Sequence, residues 1–110
     1  MIIADYVNAI ESKDYQALSR CFADNCRLFD YCPAVVGQDN FYIYGKRAVD
    51  MFYHNKFILG GLSIQDPMIV DERTVNFYAS YGGPMVHVIV NIESYDARTV
   101  LIKEMVIRPA

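Results

Sequence analysis

Leu62-Ser63-Ile64-Gln65-Asp66-Pro67-Met68-Ile69-Val70 opens the part of the chain in which the spacing of apolar residues falls from about 3.6 to 2. From there the sequence reads as four strands, Leu62 to Val70, Thr74 to Tyr81, Met85 to Tyr95 and Arg98 to Ile107. Asp71-Glu72-Arg73, Gly82-Gly83 and Asp96-Ala97 separate them. Gly82-Gly83 tolerates positive φ at both positions, which suits a tight hairpin. Asp66-Pro67 predicts an edge position or a bulge in the first of these strands, because proline has no N–H to give to a neighbour. The third strand has two unlike faces. One carries Val86, Val88, Val90 and Ile92, the other Met85, His87, Ile89 and Asn91. A one-residue slip exchanges them, so the register of residues 85–107 decides whether Asn91 or Val90 meets the interior. If the unbroken apolar face turns inward, His87 and Asn91 face out.

Upstream of Leu62 the pattern is helical. Ile3, Tyr6, Val7 and Ile10 share one face, and Ser12-Lys13-Asp14 interrupts it. Asp14 can cap a second helix in which Leu18, Cys21 and Phe22 lie with Tyr15. Ala23-Asp24-Asn25 has turn chemistry, and Cys26 to Tyr31 reads as a short strand. Residues 32–40, with Pro33 and Gly37, read as a loop, and Phe41 to Tyr44 as a brief strand. After Gly45 a third helix puts Val49, Phe52, Tyr53 and Phe57 on one face, with His54 about 100° round the axis. Helices first and an antiparallel meander afterwards give an α+β domain, its helices packed on one face of a curved sheet. A strongly curved sheet leaves a cavity at its wide end.

The 110 residues make a single domain, 1–110, large enough for one packed core. Nine of the fifteen aromatic residues are Tyr, whose ring is apolar and whose tip hydrogen-bonds. A net charge of −3, with Lys and Arg scattered, excludes a nucleic-acid stripe. Asp5 stands where a signal peptide needs positive charge, and no apolar run is long enough for a membrane. Cys21, Cys26 and Cys32 match no zinc or redox spacing, so the reading is of reduced thiols in a cytoplasmic protein with neither metal nor cofactor. Cys32, just before Pro33, reads as a loop thiol that could be reactive. A nucleophile there would need an activating base, and the sequence names none.

The run Tyr6-Val7-Asn8-Ala9-Ile10-Glu11-Ser12-Lys13-Asp14, then Ala17-Leu18, Phe22-Ala23-Asp24 and Phe29-Asp30, resembles the start of NTF2-like proteins, the SnoaL-like and ketosteroid isomerase-like group. Gly45, Val49, Phe52-Tyr53 and Asn55 continue the likeness, which is nearest to the bacterial ketosteroid isomerases. The resemblance implies an NTF2-like cone, with N-terminal helices in the hollow of a strongly curved, mainly antiparallel sheet. It also implies a homodimer. Tyr6 falls where those enzymes keep the tyrosine that binds the substrate's carbonyl oxygen, Asp30 at their carboxylate base, and Tyr53 at a supporting tyrosine. A third tyrosine would stand at position 22, which is Phe22. Asn91 is the best candidate for a second donor to the oxygen. Phe22, Phe52, Tyr78 and His54 complete the expected ligand-binding set.

The chemistry gives these residues one purpose. Shifting a double bond beside a ketone takes a proton from one carbon and returns it to another, and one carboxylate can do both. An apolar pocket raises its pKa, and donors aimed at the oxygen stabilise the enolate. Tyr6, Asp30 and Tyr53 each have an ordinary structural role as well, in core, strand end and helix face respectively. The expected function is cofactor-free proton transfer next to a carbonyl of a steroid- or polyketide-like substrate, a small apolar molecule. Cyclisation or dehydration by the same acid, with a histidine in the latter case, stays open. So does a non-catalytic ligand-binding or dimerisation module.

Overall fold

The computed structural model describes residues 1–80 and 82–110, so the Tyr81 end of the second predicted late strand lies outside the described residues. Among the described residues, three α-helices, α1 (Ile2–Glu11), α2 (Tyr15–Ser19) and α3 (Lys46–Ile58), accompany six strands. The strands are β1 (Phe22–Asp30), β2 (Phe41–Tyr44), β3 (Ser63–Asp71), β4 (Thr74–Ser80), β5 (Met85–Tyr95) and β6 (Ile102–Pro109). They form one open sheet in the order β2-β1-β6-β5-β4-β3. β1 and β6 run parallel, and the other neighbours are antiparallel. The architecture is the expected α+β one. No helix among the described residues is long and apolar enough to cross a membrane.

Periodicity explains which way each element turns. Ile3, Tyr6, Val7 and Ile10 of α1 are all buried, and α1 ends where Lys13 takes a φ of 55°. Asp14 caps α2 by accepting a hydrogen bond from the Ala17 N–H at 3.0 Å. Val49, Phe52, Tyr53 and Phe57 of α3 are buried. On β5 the inner residues are Val88, Val90 and Ile92, opposite Phe77 and Val75 on β4 and Ile107 and Met105 on β6. Cys26, Leu28 and Asp30 bring β1 onto the same inner face.

Asp66 and Pro67 behave as the sequence predicts. β3 is an edge strand, its register to β4 slips between Gln65 and Met68, and Asp66 has a φ of 53°. The turn before β5 has positive φ at Gly82 (79°), while Gly83 does not need it.

Three expectations are corrected. Phe22 begins β1 instead of closing the second helix, and Ala23-Asp24-Asn25 is extended strand instead of a turn. The register against β6 shifts between Phe22 and Arg27, and this bulge leaves Asp24 and Asn25 facing solvent within the strand. The last strand starts at Ile102 rather than Arg98. The Asp96 carboxylate holds a turn there, accepting from the N–H groups of Arg98 at 2.9 Å and Thr99 at 3.0 Å. Within the predicted loop, Pro33–Val36 forms one turn of 3₁₀ helix, closed by Gly37 at a φ of 75°.

Candidate functional site

The site forms where α1 and α3 meet the inner face of the sheet. Tyr6 and Ile10 enter it from α1, and Phe52, Tyr53 and Lys56 from α3. Asp30 and Cys32 come from the end of β1 and the residues just beyond it. Leu62, Phe77, Ala79, Val88 and Ile107 complete the apolar wall. The cavity between them measures about 30 Å³, room for a water or two.

The Tyr6 and Tyr53 hydroxyls lie 2.7 Å apart in a buried hydrogen bond. Their rings meet edge to face with centroids 6.3 Å apart, and Phe22 stands at the same centroid distance on another side of Tyr6. This packing fixes where the phenolic oxygens point. Asp30 is 3% exposed, and its Oδ1 accepts a hydrogen bond from the Cys32 N–H at 3.0 Å. Burial raises its pKa above the usual carboxylate value. The Cys32 N–H, followed by the charge of Lys56, offsets part of that rise.

Lys56 is the cationic member of the wall. Its Nζ lies 4.5 Å from the centre of the Phe41 ring and 5.3 Å from that of Phe52. Burial pulls its pKa below the ordinary lysine range, against the pull of Asp30. Cys32 is half-buried rather than an open loop thiol. Burial, with Asp30 beside it, pushes its pKa up to about 12, so the reactive thiolate is disfavoured.

Of the residues expected from sequence, Tyr6, Asp30, Tyr53 and Phe52 line this one cavity. Phe22 is fully buried behind Tyr6 and supports it from outside the wall. The other three stand elsewhere. Asn91 is on the outer face of β5, where its Oδ1 accepts from the Thr74 hydroxyl at 2.8 Å, because the register turns Val88 and Val90 inward. Tyr78 is on that outer face too, stacked on His87 at 4.6 Å. His54 stacks on Tyr15 at 4.5 Å, against α2.

Lys56 is the charged wall residue that sequence reasoning passed over, and Cys32, read there as a loop thiol, joins the wall as well. The signal for Lys56 was present, since it follows Tyr53 by three positions and Phe52 by four and so shares their helical face. A polar residue is easily discounted when an apolar stripe is being traced. Cys32 follows Asp30 by two positions, the spacing that returns to the same side of an extended chain.

No protein-family model matches the sequence, and a search of curated proteins finds no match. Solved structures do match. The chain is similar to a protein of unknown function with a cystatin-like fold from Methylobium petroleophilum, with a TM-score of 0.74 and 16% identity over 99% of this chain and 73% of that one. It is similar to a ketosteroid isomerase candidate from Kribbella flavida, at TM-score 0.67 and 13% identity over 99% of this chain and 75% of the other. A SnoaL-like protein of unknown function from Burkholderia thailandensis matches at TM-score 0.58 and 13% identity, over 97% and 89% of the two chains. At such identities the likeness establishes the fold, which is the NTF2-like, cystatin-like one that the sequence resembles.

Proposed function

We propose that this protein moves a proton beside a carbonyl without a cofactor, Asp30 serving as base, Tyr6 as donor to the oxygen and Tyr53 as its support. The observation that carries the reading is the burial of Asp30 in the same apolar cavity as the Tyr6–Tyr53 pair. Burial keeps a carboxylate's pKa closer to neutrality, where it can both take and return a proton. The bridged tyrosine pair concentrates donor strength on one point, as enolate stabilisation requires.

A steroid- or polyketide-like substrate remains the proposed class. Ligand pockets run to about 300–1,000 Å³, against about 30 Å³ here. Such a substrate therefore enters by displacing the wall, and smaller carbonyl compounds need less displacement. The same volume favours a second reading, a non-catalytic module that binds a ligand or pairs with a second copy. A homodimer, and a cytoplasmic setting in which Cys21, Cys26 and Cys32 stay reduced, belong to both readings.

Titration with equilenin, a phenolic steroid resembling the enolate, tests the proposal by absorbance and fluorescence. Binding that weakens about tenfold or more in Tyr6→Phe is the expected outcome. Binding of equal strength in the variant removes Tyr6 from the site, and no binding moves the assignment to a smaller carbonyl compound or to the non-catalytic module.

A further inference from the structure

The cavity holds an amine as well as an acid. Lys56 projects from the same face of α3 as Phe52 and Tyr53 and lines the wall with Asp30. The rings of Phe41 and Phe52 flank its ammonium end at 4.5 and 5.3 Å, which limits water around it. We propose that Lys56 is a nucleophile whose amine condenses with the carbonyl carbon of a small aldehyde or ketone held in this cavity, giving an iminium that Asp30 deprotonates at the adjacent carbon. The inference rests on the proton-transfer reading of the same site.

The placement of Asn91 motivates it. With Asn91 on the outer face, the neutral side-chain hydroxyl donors in the described wall are Tyr6 and Tyr53, which bond each other. Among the described residues, that pair is then the hydroxyl source an enolate would draw on. An iminium draws electrons from the neighbouring C–H bond more strongly than a neutral carbonyl does, so a covalent electron sink takes over the work of a second donor.

The steps balance. The nitrogen lone pair attacks the carbonyl carbon, the C=O π electrons move to oxygen, and a proton passes from nitrogen to oxygen to give a carbinolamine. Asp30 in its acid form protonates the hydroxyl, which leaves as water while the C=N bond forms. The resulting Asp30 carboxylate takes the neighbouring proton to give an enamine. Reprotonation at carbon and addition of water reverse the sequence and release the carbonyl compound and the amine. Burial serves both partners, raising the protonated share of Asp30 and the unprotonated share of Lys56. A small carbonyl compound displaces less of the wall on entering than a steroid does.

The test uses propanal and sodium cyanoborohydride at neutral pH, which reduces an iminium to a stable propyl amine. Intact mass and peptide mapping then locate the adduct. A propyl group at Lys56, formed at least tenfold faster than at Lys13, Lys46 or Lys103 and slowed in Asp30→Asn, supports the inference. Adducts spread evenly over the four lysines overturn it. Deuterium exchange at C2 of propanal in D₂O, followed by proton NMR, separates this inference from the reading beneath it. Exchange lost in Lys56→Arg, which keeps the charge, supports the iminium. Exchange retained in that variant overturns the iminium and leaves Asp30 acting directly. No exchange in the wild-type protein overturns the iminium, and the equilenin titration then decides the reading beneath it.

Discussion

Asp30 occupies a position that folding alone would not choose for a carboxyl group, 3% exposed among Ile107, Val88 and Phe77. Its pKa is raised from 3.8 chiefly by that burial. Between the ordinary value and the raised one, the folded chain holds more protons than the unfolded chain. Asp30's contribution to stability is therefore full below the ordinary value and falls as pH rises through the raised one. In Asp30→Asn this part of the pH dependence should vanish from urea melts taken across the acid range. Activity should fall by about 10²–10⁴ if Asp30 is the base, read as the rate of proton exchange on a bound carbonyl compound. Tyr6, Asp30, Tyr53 and Phe52 were legible in the sequence because their types and spacing resemble a known arrangement. Lys56 was not, because a stripe of apolar residues hides a charged one whose amine reaches inward along its own alkyl chain.

Among the elements, α1, α3 and the strands β4 and β5 follow from periodicity, whereas the inward face of β5 is decided by its register to β4 and β6. Strand ends were harder to read. Asp24 and Asn25 look like a turn because short polar side chains favour turns, yet a bulge lets β1 carry them on its solvent side. The turn from β5 to β6 shows the opposite error. Thr99 and Val100 are β-branched and favour a strand, but the Asp96 carboxylate gathers the chain into a turn. Val100 sits in it with a φ of 60° while 60% exposed, a left-handed conformation that a β-branched residue adopts at a cost of about 1–2 kcal/mol. Val100→Gly relieves that strain and loses little packing. Set against glycine's greater unfolded-state freedom, the net gain should be about 0.5–1 kcal/mol. A Tm higher by roughly 3–6 °C in calorimetry checks it.

On the scale of the whole molecule, the sheet turns one face to the helices and leaves the other with Tyr78 stacked on His87 and with Asn91 bonded to Thr74. A homodimer would bury part of that surface, and light scattering at rising protein concentration should give twice the chain mass. A constant monomer mass would exclude the dimer. The parallel pairing of β1 with β6 has a different kind of consequence. It sets Phe22 beside Ile102 and Asp30 beside Ile107, so it joins segments from opposite ends of the chain. Among the pairings of the described sheet this one closes the longest loop, and so carries the largest entropy cost. Without β6 beside it, β1 keeps only β2 as a neighbour, and the Asp30 carboxyl loses the strand that holds it next to Ile107. Any change that loosens β6 therefore reaches that carboxyl group without touching it.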